Sequence, residues 1–472
     1  MDNVFSPFRF REISENKTLL VNEVGDFDFF ESDVVRKILS GHLSDEQAKK
    51  LSDLKILLSG EDDWRFTALA SRARQNIGKR ADRLSYMLIV PTLRCDLACS
   101  YCQVSRASEN AVGFDLEEQQ IELLETFWSQ HASNSVKIEF QGGEPTLRPD
   151  LLNEIITRAE KHFDQVEFAI CTNLMNLTPE VEELLSNPKM HISTSIDGPT
   201  NLMALNRTGT TESAQKFFEN LTYIMRKYGS DKVSALPTIP TQAYDQIEEI
   251  IDFYRELGLS SIFLRPVNYM GFARKKHATS LEGTENWNQA YFRALQKIME
   301  INKTEFFEEF YASMIFQKIL GASGINYVDC RSPNRYFEDY CVIDYDGSIY
   351  PTDEARMLSR TKQVDLKIGE IGGKIDEDKL STLNMNSINE VHSDCVHCAY
   401  GPFCGVDLVD DLSRYGRIDT PKTSTAFCKR HMGLFDLIFE KIAEQDREWL
   451  DPLMTWAFRK NGAHAPFEAL YD

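Results

Sequence analysis

The sequence lacks the two kinds of segment that direct a chain to or across a membrane. It contains no run of about 18 apolar residues, so we expect no membrane span. Its first residues, MDNVFSPFRFREISENK, contain no apolar stretch followed by a small-residue cleavage site, so we expect no secretory signal. These two absences predict a cytoplasmic protein, in which cysteine thiols stay reduced.

Positive charge is also scarce. The 52 Lys and Arg residues are outnumbered by 73 Asp and Glu, which gives a net charge of -21. Because recognition of phosphates needs a surplus of cations, this balance argues against a nucleic-acid partner. Apolar residues make up 42% of the 472 positions, which is enough for a large core and for two or three domains.

Cysteine, in contrast, is present in ten copies, most of them in two clusters. In a reducing compartment such clusters indicate metal ligands rather than disulfides. Cys171 stands alone and is expected to be a core thiol. The first cluster is Cys95, Cys99 and Cys102, the second is Cys395, Cys398, Cys404 and Cys428, and Cys330 and Cys341 lie between them.

The chain divides into four regions, and its alternating strands and helices predict an α/β fold. Residues 1–80 read as a small α+β module, and residues 85–275 contain six strand–helix units. Such units predict a parallel sheet curled into a partial (β/α)6 barrel, whose ligand lies at the carboxyl ends of the strands. Residues 320–435 hold the second cysteine cluster, and residues 436–472 are predicted to form a C-terminal helix.

The first cluster has the spacing C-x3-C-x2-C and follows the first strand of the predicted barrel. Three thiolates are one short of a closed zinc site, and the next histidine downstream is His131. Three cysteines suit a [4Fe–4S] cluster in which one iron remains open to a small molecule. A zinc site completed by a distant ligand is the alternative.

This loop resembles the signature of the radical S-adenosylmethionine (SAM) enzymes. The resemblance continues after successive strands, through the motifs GGEP, CTN, SIDGP and LRP. It implies that the amino and carboxylate groups of SAM bind the open iron. It also implies a set of residues that bind SAM: Gly142, Gly143, Glu144, Pro145, Asn173, Ser195, Asp197, Arg207 and Arg265.

The second cluster, C-x2-C-x5-C followed by a distal cysteine, resembles the SPASM extension of peptide-modifying radical enzymes. That resemblance implies one auxiliary [4Fe–4S] cluster, and a four-cysteine zinc site is the alternative. A second auxiliary cluster would need cysteines where Thr352 and Leu408 stand. Cys330 and Cys341 therefore supply only two of the four thiolates, and they either hold a partial cluster or have a structural role. Asp353 lies where related maturases carry a proton-accepting acid, which makes it the candidate catalytic residue.

Several stretches, among them TLRCDLACSYCQVSR and GSIYPTDEARM, resemble the longer radical maturase of the His-Xaa-Ser peptide system. This implies a precursor peptide with His-Xaa-Ser repeats, a second radical SAM enzyme, a small accessory protein and an electron donor such as flavodoxin or ferredoxin. The expected reaction cleaves SAM to a 5′-deoxyadenosyl radical and oxidatively crosslinks precursor side chains. A maturase of another protein, such as a sulfatase, and a zinc-stabilised scaffold are the alternatives.

The small module at 1–80 contains no cysteine and precedes all the cofactor motifs. We expect it to bind the precursor, with the apolar stretch TLLVNEV as an exposed sheet edge to which the peptide adds as a strand. The competing expectation is that it only packs on the barrel.

Overall fold

The computed structural model describes residues 4–60, 63–78, 81, 83–277, 281–321, 331 and 333–458. Within these ranges, no helix is both long and apolar enough to cross a bilayer.

The N-terminal module is a three-stranded antiparallel sheet with helices packed on one face. The strand order is β2-β3-β4, so β3, which contains TLLVN, is the central strand, and all its residues except Lys17 are buried. The expectation that this stretch forms an exposed edge is therefore wrong: the edges are β2 and β4. The elements are β1 (Val4–Phe5), β2 (Phe8–Ser14), β3 (Lys17–Asn22), β4 (Phe27–Glu31), α1 (Val34–Ser40), α2 (Asp45–Asp53), β5 (Leu57–Leu58) and α3 (Trp64–Gly78).

The middle of the chain forms the partial barrel, which confirms the predicted α/β fold class. Five strands, in the order β12-β11-β10-β9-β6, are parallel, and the sixth is formed by β15, which pairs in parallel with β13. The elements are β6 (Leu84–Thr92), β7 (Arg94–Cys95), β8 (Ala107–Ser108), α4 (Glu118–His131), β9 (Ala132–Gly142), α5 (Pro149–His162), β10 (Gln165–Cys171), α6 (Pro179–Ser186), β11 (Met190–Thr194), α7 (Thr200–Met203), α8 (Thr211–Tyr228), β12 (Val233–Ala235), β13 (Thr238–Ile239), α9 (Ile247–Glu256), β14 (Ser261–Ile262), β15 (Arg265–Pro266) and α10 (Ala273–Lys276).

Side chains alternate across these strands, and the alternation separates the core from the barrel interior. On β9, Ile138 and Phe140 are fully buried in the hydrophobic core beneath the helices, whereas Lys137, Glu139 and Gln141 line the interior cavity. The barrel therefore has an apolar outer layer and a polar lumen.

The C-terminal region extends the same sheet on its other side. Strand β17 pairs in parallel with β6, and β18 and β19 follow it antiparallel, so that eight strands form one sheet. The elements are α11 (Leu281–Asn302), β16 (Glu308–Glu309), α12 (Phe310–Leu320), β17 (Tyr340–Ile343), β18 (Ser348–Tyr350), α13 (Asp353–Arg360), β19 (Gly369–Glu370), α14 (Glu377–Asn386), α15 (Ser393–Val396), α16 (Leu408–Tyr415), α17 (Ala426–Glu444) and α18 (Arg447–Phe458).

The predicted helix at 436–472 needs correction. Up to Phe458, where the described residues end, this stretch contains two helices, and the first begins ten residues earlier than predicted, at Ala426. It ends where Gln445 adopts a left-handed conformation with φ of 56°, and α18 then starts at Arg447. Cys428 consequently lies in the first turn of α17 rather than in a loop before it.

The N-terminal module packs closely on the rest of the chain. Leu19 and Val21 on β3 are buried in the main core, and Phe27 on β4 packs edge-on against Phe439 of α17 at 5.1 Å. Arg11 on β2 forms a bidentate ion pair with Asp436. The module and the C-terminal region thus share one interface.

Candidate functional site

A cavity of about 630 Å³ occupies the barrel interior, and its wall includes the carboxyl ends of the parallel strands. Its volume is in the range of small-molecule sites. Most residues that the sequence predicted to bind the cofactor lie in its wall. They are Cys95, Cys99, Cys102, Gly142, Gly143, Glu144, Asn173, Ser195, Arg207 and Arg265; Asp353 also lines it, whereas Pro145 and Asp197 lie buried behind the wall.

The three cysteines lie on a loop that leaves the end of β6. They are half-buried free thiols, and the amide of Cys102 donates to the carbonyl of Cys99 at 3.2 Å. Burial raises the pKa of Cys95 and of Cys99. Binding of a metal to these thiols would therefore release protons.

The two glycines of GGEP hold the end of β9 against the cysteine loop. The amide of Gly143 donates to the carbonyl of Thr92 at 2.9 Å, and the amide of Glu144 donates to that of Arg94 at 2.7 Å. A Cβ on Gly143 would overlap the backbone of Leu93, whose carbonyl carbon lies 2.5 Å from its position. Glycine is needed here because two backbone segments touch.

Glu144 links two strand ends. Its carboxylate is buried and accepts hydrogen bonds from the amide of Thr146 at 3.1 Å, from the Thr172 hydroxyl at 2.7 Å and from the amide of Asn173 at 2.7 Å. Burial raises the pKa of Glu144, although these donors oppose the rise. With this many internal partners, the carboxylate fixes the GGEP loop to the end of β10.

Asn173 connects that strand end to the cysteine loop. Its side-chain amide donates to Asp96 at 2.6 Å, and Asn176 donates to the other oxygen of Asp96 at 2.9 Å. Asp96 follows Cys95 directly, so the two amides fix the conformation of the loop at its first cysteine.

Arg207 lies on a single π-helical turn at Ala204–Thr208, a local distortion often found at functional sites. It donates to the Tyr101 hydroxyl at 2.8 Å, and Tyr101 donates to the buried Asp197 at 2.6 Å. Burial disfavours the Arg207 charge, but Tyr101, Cys99 and Asp197 outweigh it, so the pKa of Arg207 is raised. The structure thus holds a permanent cation beside the Cys99 thiol.

Further into the lumen lies a polar group that sequence reasoning missed. Tyr86 donates to Glu139 at 2.5 Å and stacks on Tyr340, with 5.0 Å between ring centroids. Cys171, expected in the core, instead lines the cavity and donates to Glu139 at 3.2 Å. The sequence indicated this group through β9, in which the charged residues Lys137 and Glu139 alternate with apolar ones.

Asp353, the candidate base, begins α13 in the wall of the same cavity. Its carboxylate accepts a hydrogen bond from the Nε of Arg356 at 2.8 Å, and the same oxygen lies 2.7 Å from one terminal nitrogen of Arg356. Arg356 is fully buried, and Asp344 lies 3.6 Å from its other terminal nitrogen. Arg356 therefore orients the Asp353 carboxylate.

The four cysteines of the second cluster lie around a separate cavity of about 40 Å³. A water molecule needs about 10–15 Å³ of such volume, so there is room for more than one atom. Burial raises the pKa of Cys395 to about 12 and that of Cys428 to about 11. Cys428 occupies the first turn of α17, where the helix dipole favours a thiolate.

Within the described parts of the chain, no three His, Cys, Asp or Glu side chains are grouped to hold a metal ion. The thiols of the first set line the large cavity of the barrel, and those of the second set line the small separate cavity.

Cys341 is not part of either site. It is fully buried on β17 among core residues and lines neither cavity, and Cys330 lies outside the described residues. The Nε2 of His392 donates to the carbonyl of Asn386 at 2.8 Å, and His392 does not line the second cavity.

Comparison with known proteins agrees with this geometry. Residues 89–254 match the family model of the Radical SAM superfamily. The matched segment runs from β6 to α9 and includes every cysteine of the first cluster. A radical SAM domain uses SAM and a [4Fe–4S] cluster, and the thiols and the cation in the cavity wall suit that pair of cofactors.

One curated relative is an uncharacterized protein of Methanothermobacter thermautotrophicus, 29% identical over 181 residues. That alignment covers 37% of this chain and 65% of the relative, just under two thirds of its length.

Two solved structures show the same fold over most of the chain. Native anSMEcpe with bound AdoMet matches with a TM-score of 0.59 and 17% identity, and covers 76% of this chain and 98% of its own. SuiB of Streptococcus suis bound to precursor peptide SuiA matches with a TM-score of 0.50 and 16% identity, and covers 90% of this chain and 100% of its own.

Proposed function

We propose that this chain is a radical SAM maturase that oxidatively modifies, by crosslinking, the side chains of a ribosomally made precursor peptide. The observation that carries the proposal is the position of the two cysteine sites. Asp407 lines both cavities, so the lumen and the four-cysteine site share a wall. The likeness to SuiB, whose solved structure holds a precursor peptide, supports a peptide substrate.

Cys95, Cys99 and Cys102 would hold a [4Fe–4S] cluster, with SAM bound between the GGEP loop and Arg207. When bound, these cofactors supply a 5′-deoxyadenosyl radical, which can remove a hydrogen atom from carbon. The residues of the chain would position these cofactors: Glu144 and Asn173 fix the loops, and Arg207 would offer its cation to the SAM carboxylate. The walls of the lumen would limit the access of water to the radical.

Oxidation of a side chain removes, in addition to that hydrogen atom, one electron and one proton. The proton needs a base in the cavity wall, and the electron needs a nearby acceptor. Asp353, held by Arg356, would accept the proton. Cys395, Cys398, Cys404 and Cys428 would hold an auxiliary [4Fe–4S] cluster as the electron acceptor, behind the shared wall.

The proposal extends to partners. The precursor would carry His-Xaa-Ser repeats, a flavodoxin or ferredoxin in the cytoplasm would supply electrons, and a second radical SAM enzyme and a small accessory protein would act on the same precursor. The precursor leader would add to an outer edge of the N-terminal sheet, at β2 or β4. Neither edge pairs with a further strand among the residues that the structure describes.

The test uses the full chain, reconstituted anaerobically with iron and sulfide and reduced with dithionite. We expect 5′-deoxyadenosine from SAM, and with a precursor from a neighbouring reading frame we expect a product that has lost a pair of hydrogen atoms. Deoxyadenosine without modified peptide would point to another substrate. Absence of both iron and cleavage would refute the proposal.

A further inference from the structure

Strand β2 of the N-terminal module directs an arginine toward the second cysteine site. The Nε of Arg9 donates to the carbonyl of Val396 at 2.8 Å, on the turn between Cys395 and Cys398. One terminal nitrogen pairs with Glu23 at 3.2 Å. The other, Nη1, has no acceptor among the described residues. It is also buried, as is the whole of Arg9, which is only 7% exposed.

Arg11, two residues along the same strand face, anchors β2 beside this site. It pairs bidentately with Asp436 at 2.5 and 2.7 Å, and its guanidinium lies 5.2 Å from the ring centroid of Tyr400. Tyr400 donates to Asp436 at 2.6 Å and lines the second cavity. These contacts fix β2 beside the second cysteine site.

Both arginines are close enough to Cys398 to affect its ionisation. Burial raises the pKa of the Cys398 thiol, while the charges of Arg11 and Arg9 oppose that rise. The geometry is independent of this effect, since Arg9 already bonds to the backbone of the cysteine turn.

An iron–sulfur cluster bound by four thiolates is an anion, and reduction adds one more negative charge. A buried cation or hydrogen-bond donor stabilises the reduced state more than the oxidised state, so it raises the reduction potential. A buried guanidinium N–H without an acceptor is the group that such an anion would use, because leaving it unsatisfied is costly.

We propose that Arg9 is part of the auxiliary cluster site and sets its reduction potential, so that the N-terminal module belongs to the redox apparatus of the enzyme. This rests on the proposed function in one respect, the presence of an iron–sulfur cluster at the four cysteines. Arg9 acts as a positioning and charge-compensating residue, with Glu23 as the counter-charge that limits its effect.

The experiment uses the full chain carrying Cys95→Ala, Cys99→Ala and Cys102→Ala. These changes remove the thiols of the first cluster, so that any cluster bound is the one at the four-cysteine site. The potential of the remaining cluster is measured by redox titration followed by electron paramagnetic resonance. Arg9→Gln should make reduction at least tenfold less favourable at a fixed potential, a shift of about 59 mV to lower potential for one electron.

Two further variants distinguish charge from structural damage. Glu23→Gln removes the anion paired with Arg9, so the reduction potential should rise. Arg9→Gln should lower it, and disruption of packing would not shift the potential in opposite directions in the two variants. Arg36→Gln, on the exposed side of α1 in the same module, should leave the potential unchanged. Should Arg9→Gln not fold, the rise in Glu23→Gln alone decides.

Bound iron with an unchanged potential in folded Arg9→Gln, or in Glu23→Gln, would overturn this inference and leave the proposed function standing. A parent chain that binds no iron, or whose iron survives Cys398→Ala, would overturn the auxiliary site and this inference with it.

Discussion

Gly143→Ala tests whether the contact between the GGEP loop and the cysteine loop organises the site. The added Cβ would lie 2.5 Å from the carbonyl carbon of Leu93, where carbon atoms prefer about 3.5–4.0 Å. The obstacle is backbone and cannot rotate away. The loop must therefore move by about 1 Å, given that preferred separation.

The displacement has a cost that can be worked out. It lengthens two hydrogen bonds, from Gly143 to Thr92 at 2.9 Å and from Glu144 to Arg94 at 2.7 Å, each contributing about 1 kcal/mol. Overpacking adds about 1–3 kcal/mol. The total is about 3–5 kcal/mol, and if about half is felt in binding, SAM affinity falls at least tenfold, since a factor of ten corresponds to about 1.4 kcal/mol.

The assay is anaerobic calorimetric titration of the reconstituted protein with SAM, beside iron quantitation and circular dichroism. Gly78→Ala is the matched control, because its Cβ would meet nothing within 4 Å. Wild-type affinity in Gly143→Ala would show that the loop contact is unimportant and would refute the reasoning.

Two further changes test the cysteine sites, and a third tests Glu309, a buried carboxyl group that lines neither cavity. Cys99→Ala should abolish reductive cleavage of SAM, measured as 5′-deoxyadenosine, and cleavage at the wild-type rate would contradict the assignment of the first cluster. Cys398→Ala should leave cleavage largely intact and block the modified peptide, so full product from a folded variant lacking that iron would exclude the electron path. Burial raises the pKa of Glu309 from 4.5 to about 7, so the folded protein binds more protons than the unfolded one in that window and loses stability as pH rises through it. Glu309→Gln removes this destabilisation, which reaches up to about 3 kcal/mol above pH 7. In urea unfolding, the free energy of unfolding of the wild type relative to that of Glu309→Gln should therefore be lower at pH 8 than at pH 5.

The barrel and its cofactor motifs could be predicted because they are local patterns. Strands β6, β9, β10 and β11 are short, mainly apolar runs, and the motifs come at or directly after their ends. The carboxyl ends of parallel strands meet at one edge, so Cys95, Asn173 and Arg207 were expected near one another, and the structure places all three in one cavity wall.

The roles within that wall were harder to predict, because they depend on which partners each side chain finds. The resemblance implied that the glycines of GGEP bind SAM, and the structure adds a second role for Gly143, which makes room for the backbone at Leu93 and Arg94. Cys171 was expected in the core, yet the strand register turns its thiol toward Glu139. Neither outcome has a signal in spacing alone.

Long-range pairing was also beyond the sequence. Strand β17 joins the barrel sheet beside β6, although about 250 residues separate them along the chain, because its buried Cys341 and Val342 complete the core layer. TLLVN was expected at a sheet edge for its apolar character, but that character reflects burial on both faces of a central strand.

The position of the N-terminal module changes how its function can be tested. Because Leu19 and Val21 belong to the main core, deleting residues 1–80 would expose that core, and loss of activity would not report on peptide binding. If the precursor adds along β2, it contacts the strand that carries Arg9 and Arg11 to the second cysteine site. Peptide binding and the potential of the auxiliary cluster would then be thermodynamically linked, and each must alter the other by the same free energy. If peptide binding raised this potential, transfer of the substrate electron would be more favourable when a precursor is in place.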